Sequence, residues 1–109
     1  MIRIEAIWLA VEPLDMRAGF DTALARVVTV FGAAMPHTAY VFANRRSDRL
    51  KVLVHDGIGL WLAARRLHQG SFTRGRRGLN EPLTREQFDA LVLGLPWHRL
   101  GEAGVIRVT

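Results

Sequence analysis

The 109-residue sequence contains no cysteine. Disulfides and thiolate metal sites are therefore excluded, and the absence fits a reducing compartment. Lysine is almost missing too, since fourteen of the fifteen cations are arginine. Long apolar runs are absent. The run at residues 7–11 is too short to span a bilayer and follows Arg3 and Glu5. No small-residue cleavage site follows a long apolar stretch, so a cytoplasmic location with no membrane contact is the expectation. Acidic residues are scarce in the central third. Between Arg45 and Arg77 nine basic residues meet only Asp48 and Asp56, a net of +7. The rest of the chain carries six basic and eight acidic residues, a net of −2.

A basic middle flanked by acidic ends is the electrostatic footprint of a polyanion partner. A solubilising face would give the same count. Arginine suits the first reading, because its planar fork matches phosphate and guanine edges. The candidate nucleic-acid contacts are Arg45, Arg46, Arg49, Lys51, Arg65, Arg66, Arg74, Arg76 and Arg77.

At 109 residues, half of them apolar, one domain with its own core is expected. Residues 7–11 read as a buried strand ending at Glu12-Pro13. Phe20, Leu24, Val27, Val28 and Phe31 have helical spacing, with Asp15 placed as the N-cap and Gly32 as the stop. Residues 39–42 read as a strand. Residues 49–55 alternate, with Leu50, Val52 and Val54 facing a core and Arg49, Lys51, Leu53 and His55 facing out. Asp56-Gly57 is the strongest hairpin signal.

Residues 59–70 are ambiguous. Leu60, Ala63, Ala64 and Leu67 fit a short helix, whereas Leu60 and Leu62 also fit a returning strand, and the balance favours the helix. Residues 73–80 form an Arg/Gly-rich arm, expected to be mobile. Thr84 and Gln87 make a capping box for a helix with Phe88, Leu91, Val92 and Leu95 on its apolar face. The tail after residue 99 either adds an edge strand or frays. The expected architecture is α+β: a small, mostly antiparallel sheet with two main helices packed on it and a possible third short one.

Catalytic constellations are not apparent. Asp15, Asp21, Asp48 and Asp56 each have a local explanation as cap, helix surface, loop charge or turn. The histidines at 37, 55, 68 and 98 lack metal-ligand spacing. Gly57 and Gly59 alone do not make a phosphate loop. Neither a metal nor an organic cofactor is expected, and the chain does not read as an enzyme. Trp8, Trp61 and Trp97 read as core or interface residues rather than base-stacking platforms.

Four ordered blocks resemble a known family. Residues 15–21, DMRAGFD, resemble a D-M-R-K-G-F-D block. Residues 41–53, VFANRRSDRLKVL, resemble V-F-x-N-R-R-x-D-R-L-K-x-L. Asp56, Gly57 and Gly59, followed by Arg65-Arg66-Leu67 and Gly70-Ser71-Phe72, resemble D-G-x-G and K-R-L-x-x-G-x-F. Residues 83–97 resemble a closing L-T-x-E-Q-F helix with its G-x-x-W end. The set is similar to the TnpB-type, second-reading-frame accessory proteins of insertion-sequence family sixty-six. The resemblance implies a non-enzymatic assistant to a separate transposase, with DNA and that transposase as partners. It marks Asp15, Met16, Arg17, Gly19, Phe20, Asp56, Gly57 and Gly59 as family-motif positions. The chain departs from the pattern at Ala18, at His55 and after Phe72, where residues 73–77 read TRGRR. A protein-interaction module docking on the transposase, or on another accessory protein, would carry the same blocks. A purely structural explanation of residues 17–20 stands beside a functional role: Gly19 allows close packing of the helix start on the sheet, and Arg17 pairs with Asp21 across one turn.

Overall fold

The computed structural model describes residues 3–75 and 78–100. Arg76, Arg77 and the tail from 101 onward, on which parts of the expected arm and tail fall, lie outside the described residues. The strands are β1 (Ala6–Leu9), β2 (Thr38–Ala43), β3 (Arg49–His55), β4 (Leu60–Arg66) and β5 (Glu81–Leu83). The helices are α1 (Phe20–Phe31) and α2 (Arg85–Val92), followed by a 3₁₀ turn at Trp97–Arg99. The five strands form one sheet in the order β4-β3-β2-β1-β5. Only β1 and β2 run parallel, as the α1 crossover between them requires. The other pairs are antiparallel. The α+β expectation is met, with the two helices on opposite faces of the sheet.

Over β2 and most of β3 both faces are therefore covered. On one, Ala23 and Val27 of α1 pack on Tyr40, Phe42 and Leu53. On the other, Leu91 of α2, Trp97 and Phe72 pack on Leu9, Val41, Leu50 and Val52. This explains the continuous burial of β2 from Thr38 to Phe42, since a strand covered on both sides need not alternate. It also corrects the outward face expected for β3. Leu53 is 1% exposed beneath α1, and Lys51 is half-buried beside it.

Three further expectations change. The segment 60–66 is a strand, not a helix, paired with β3 without a break from Arg49↔Arg66 to His55↔Leu60. The helical spacing of Leu60, Ala63 and Ala64 is overridden by the tight turn before it and the partner strand beside it. Asp15 does not cap α1. Gly19 occupies that position with no side-chain cap, and the Asp15 carboxylate turns instead to the Arg17 amide at 2.8 Å. The buried stripe of α1 is Ala23 and Val27, while Phe20 and Val28 are about half exposed.

The α2 capping box forms as read. Thr84 Oγ1 accepts from the Gln87 amide at 3.1 Å, and Gln87 Oε1 accepts from the Thr84 amide at 2.9 Å. Leu95 is exposed beyond the end of this helix. Among the described residues, no helix is long and apolar enough to cross a membrane.

Candidate nucleic-acid interface

The parallel strands β1 and β2 end side by side, and the chain leaving β1 stays against β2. The Ala10 amide donates to Val41 O and the Leu14 amide to Ala43 O, both at 2.9 Å. Residues 15–17 are thereby carried to the loop 44–48 that follows β2. Two blocks far apart in sequence become the two walls of one cleft.

The second wall is clamped from inside. Asn44 Oδ1 accepts from the amides of Asp48 and Arg49 at 3.1 and 3.2 Å, and Asn44 Nδ2 donates to Asp48 Oδ1 at 2.6 Å. Ser47, held at φ 57°, donates its amide to Asn44 O at 3.1 Å. The Phe72 amide donates to Ser47 O, and the Leu67 amide donates to Asp48 O. Behind the loop, Arg74 donates from Nε to Ser47 Oγ and from Nη2 to the carbonyls of Asn44 and Arg45. The carbonyls of Asn44, Arg45, Ser47 and Asp48 are thus occupied inward, and the Arg45 and Arg46 side chains are left exposed. Such a loop loses little freedom on binding.

The cleft encloses about 620 Å³ and is lined by Pro13, Leu14, Asp15, Met16, Arg17, Arg26, Asn44, Arg45, Arg46, Asp48 and Arg49. Five arginines face two aspartates, and both aspartates are engaged. The Arg17 fork grips the Asp15 carboxylate, with Nη2–Oδ2 at 2.7 Å and Nε–Oδ1 at 3.1 Å. That fork, with the Arg17 amide, holds the Asp15 carboxyl down at about 2 and raises Arg17 above its ordinary value. The Asn44 hydrogen bond, then the charge of Arg49, lowers Asp48. Arg17 pairs with Asp15 rather than Asp21. Both carboxylates stay ionised, yet each is bound to a donor, so the excess of guanidinium governs the field in the cleft.

The family described as IS66 Orf2 like protein matches residues 5–102. The chain belongs to that family. Its members are transposition-associated accessory proteins of insertion sequences rather than a known class of enzyme. Two relatives from Sinorhizobium fredii are similar along most of their length. The uncharacterized protein y4jC is 33% identical over 107 residues, 94% of this chain and 90% of the relative. The uncharacterized protein y4hO is 31% identical over 93 residues, 84% of this chain and 81% of the relative. No solved structure matches at a significant level.

In this IS66 Orf2-like chain the remaining basic residues divide. Arg66 is exposed and stands opposite Arg49 on the cleft side of the sheet. Lys51 donates from Nζ to Ala18 O, which ties β3 to the loop before α1. Arg65 lies on the opposite face, where its Nε donates to Val92 O at the end of α2. Arg74 stands behind the loop rather than in the cleft. Arg76 and Arg77 lie outside the described residues.

The family-motif positions divide as well. Asp15, Met16 and Arg17 line the cleft. Phe20 opens α1, and a Cβ added at Gly19 would meet nothing within 4 Å, so close packing does not require that glycine. Asp56, Gly57 and Gly59 sit at the far end of the β3–β4 hairpin, roughly 20 Å along the strands from Arg49. There the Asp56 carboxylate accepts from the amides of Ile58 and Gly59 and from Trp61 Nε1, which lowers its pKa. Gly57, at φ 96°, closes the turn against the His37 ring. Trp97 is core, Trp8 is partly buried against the α1-side core and Trp61 is 53% exposed.

Arg26 is the cleft residue that sequence reasoning missed. It reaches from α1 to Pro13 O, with Nη1 at 3.1 Å. Its one sequence signal is that it is the only basic residue in α1.

Proposed function

We propose that this protein binds DNA at the arginine-lined cleft and, as a non-enzymatic accessory factor, assists the transposase of its element. The observation that carries the reading is the convergence of Arg17, Arg26, Arg45, Arg46 and Arg49 on one concavity. Their contacts go to phosphates, which position a nucleic acid without reading its sequence. The cleft carboxylates are engaged by Arg17 and Asn44, which supports a binding role over metal-dependent strand cleavage.

A mobility-shift titration at two salt concentrations tests this, with element-end DNA and unrelated DNA as probes. The expected result is a steeply salt-sensitive shift that is lost in the double variant Arg45→Glu, Arg46→Glu. No shift at low salt would overturn the reading.

A second reading is that the protein docks on the transposase without touching DNA. The apolar side chains of Phe20 and Val28, half exposed on α1, favour it. Transposase capture that disappears in the same charge-reversal variant, with no DNA shift in the wild type, would decide for this reading.

A further inference from the structure

The two edges of the sheet are built differently. β5 is three residues long and carries Pro82, features that blunt an edge against further pairing. β4 runs for seven residues with no proline and no bulge. Among the described residues, no strand pairs with its outer side.

The outward backbone groups of β4 can be identified. The Asp56 amide donates to Gly59 O and the Leu67 amide to Asp48 O, so these opposed pairs are the hydrogen-bonded ones. Antiparallel ladders alternate. Trp61, Ala63 and Arg65 therefore direct their N–H and C=O groups to β3. Leu60, Leu62, Ala64 and Arg66 direct theirs away from the sheet.

We propose that β4 pairs antiparallel with β4 of a second copy of this chain, about a twofold axis at Ala63, to make one continuous sheet. In this register every outward group finds a partner. Leu60 meets Arg66 of the other copy, and Leu62 meets its Ala64. Trp61 falls opposite the second copy's Arg65, as a close, non-hydrogen-bonded pair. An exposed indole then lies beside a guanidinium already anchored on Val92 O, a cation–π arrangement repeated by symmetry. The indole also comes to the end of α2, where Leu93 is 61% exposed. Parallel pairing in register would set Arg65 and Arg66 against their own copies. The twofold arrangement places them against Trp61 and Leu60 instead, so charge as well as backbone selects it.

The absence of native cysteine makes the test direct. In Ala63→Cys the two thiols face each other at the axis, at a Cα separation of about 4.5 Å that a disulfide spans. Under mild oxidation this variant is expected to run as a covalent dimer on a non-reducing gel. Thr22→Cys, exposed on α1, is expected to stay monomeric. Sedimentation of the wild type is expected to give twice the 12.2 kDa chain mass. Trp61→Ala is expected to weaken the dimer about tenfold. Ala64→Pro removes an outward amide and no β3 bond, and is expected to sediment as a folded monomer. If Ala64→Pro does not fold, the two cysteine variants decide alone. Equal cross-linking of Ala63→Cys and Thr22→Cys overturns the proposal. So does a wild-type chain that sediments as a monomer at tens of micromolar, including one that accepts a strand only from a different protein.

Discussion

Arg49 and Arg66 stand directly opposite each other across the β3–β4 ladder. Two guanidinium groups on one face of a strand pair repel, at a cost of about 0.2–1 kcal/mol. Among the described residues, no hydrogen bond of either side chain to a carboxylate offsets this, although Asp48 lies next to Arg49 in sequence and feels its charge. A bound phosphate would relieve the repulsion. Arg66→Gln is therefore expected to raise the urea midpoint, by about 0.2–1 kcal/mol of stability, while it weakens DNA binding. A variant that is both less stable and equally tight would show that the pair serves packing instead.

Arg45 projects from the 44–48 loop and Arg74 braces that loop from behind, so their loss should read differently. In the proposed complex Arg45→Ala removes a phosphate contact, so the slope of log K against log salt is expected to fall by about 0.9. Arg74→Ala removes the support behind Ser47 and the Arg45 carbonyl, so affinity is expected to drop with the slope unchanged. Filter binding across a salt series distinguishes the two, and an equal slope change for both would place Arg74 in the DNA contact.

Leu53 tests the two-sided burial of the sheet. In the alternation of β3 it shares the side of Arg49 and Lys51, yet it packs under α1 with Tyr40 and Val27. Leu53→Ala is expected to cost about 2–5 kcal/mol by denaturant titration. A loss under about 1 kcal/mol would mean that α1 does not seal this face.

The Asp15–Arg17 fork gives a pH signature. A carboxylate depressed from 3.8 to about 2 is more acidic folded than unfolded. Its stabilisation is present in full above the unfolded value and fades as pH falls through 4 towards 2. A carboxyl ¹³C titration is expected to place Asp15 near 2, and Arg17→Ala to return it towards 3.8. A wild-type midpoint near 4 would show that the fork is open in solution.

How far the fold could be read depended on the range of the interaction. Local signals held: Gly32 stops α1 at φ 87°, Thr84 and Gln87 cap α2, and Asp56-Gly57 turns the hairpin. β4 was misread because Leu60, Ala63, Ala64 and Leu67 satisfy a helical period, and only the β3 ladder decides between the two. β5 was missed because three residues with a proline carry no periodicity, and their partner Ile7 lies at the other end of the chain. In the cleft, Arg45, Arg46 and Arg49 were visible as local charge. Arg26 was not, because what brings it to Pro13 is the packing of α1. Arg65 and Arg74 were visible as charge but not as hydrogen-bond donors to Val92 and the 44–48 loop, which are contacts between distant segments.

The pairing of Ile7 with Leu83 sets the order in which the chain can be completed. The β3–β4 hairpin closes over a few residues and can form while synthesis continues. β1, made first, waits with one edge uncovered until the ribosome has released the segment containing Pro82. A message truncated before that codon would yield a product whose first strand is permanently open to foreign strands, and such fragments are expected in inclusion bodies rather than in the cleared lysate.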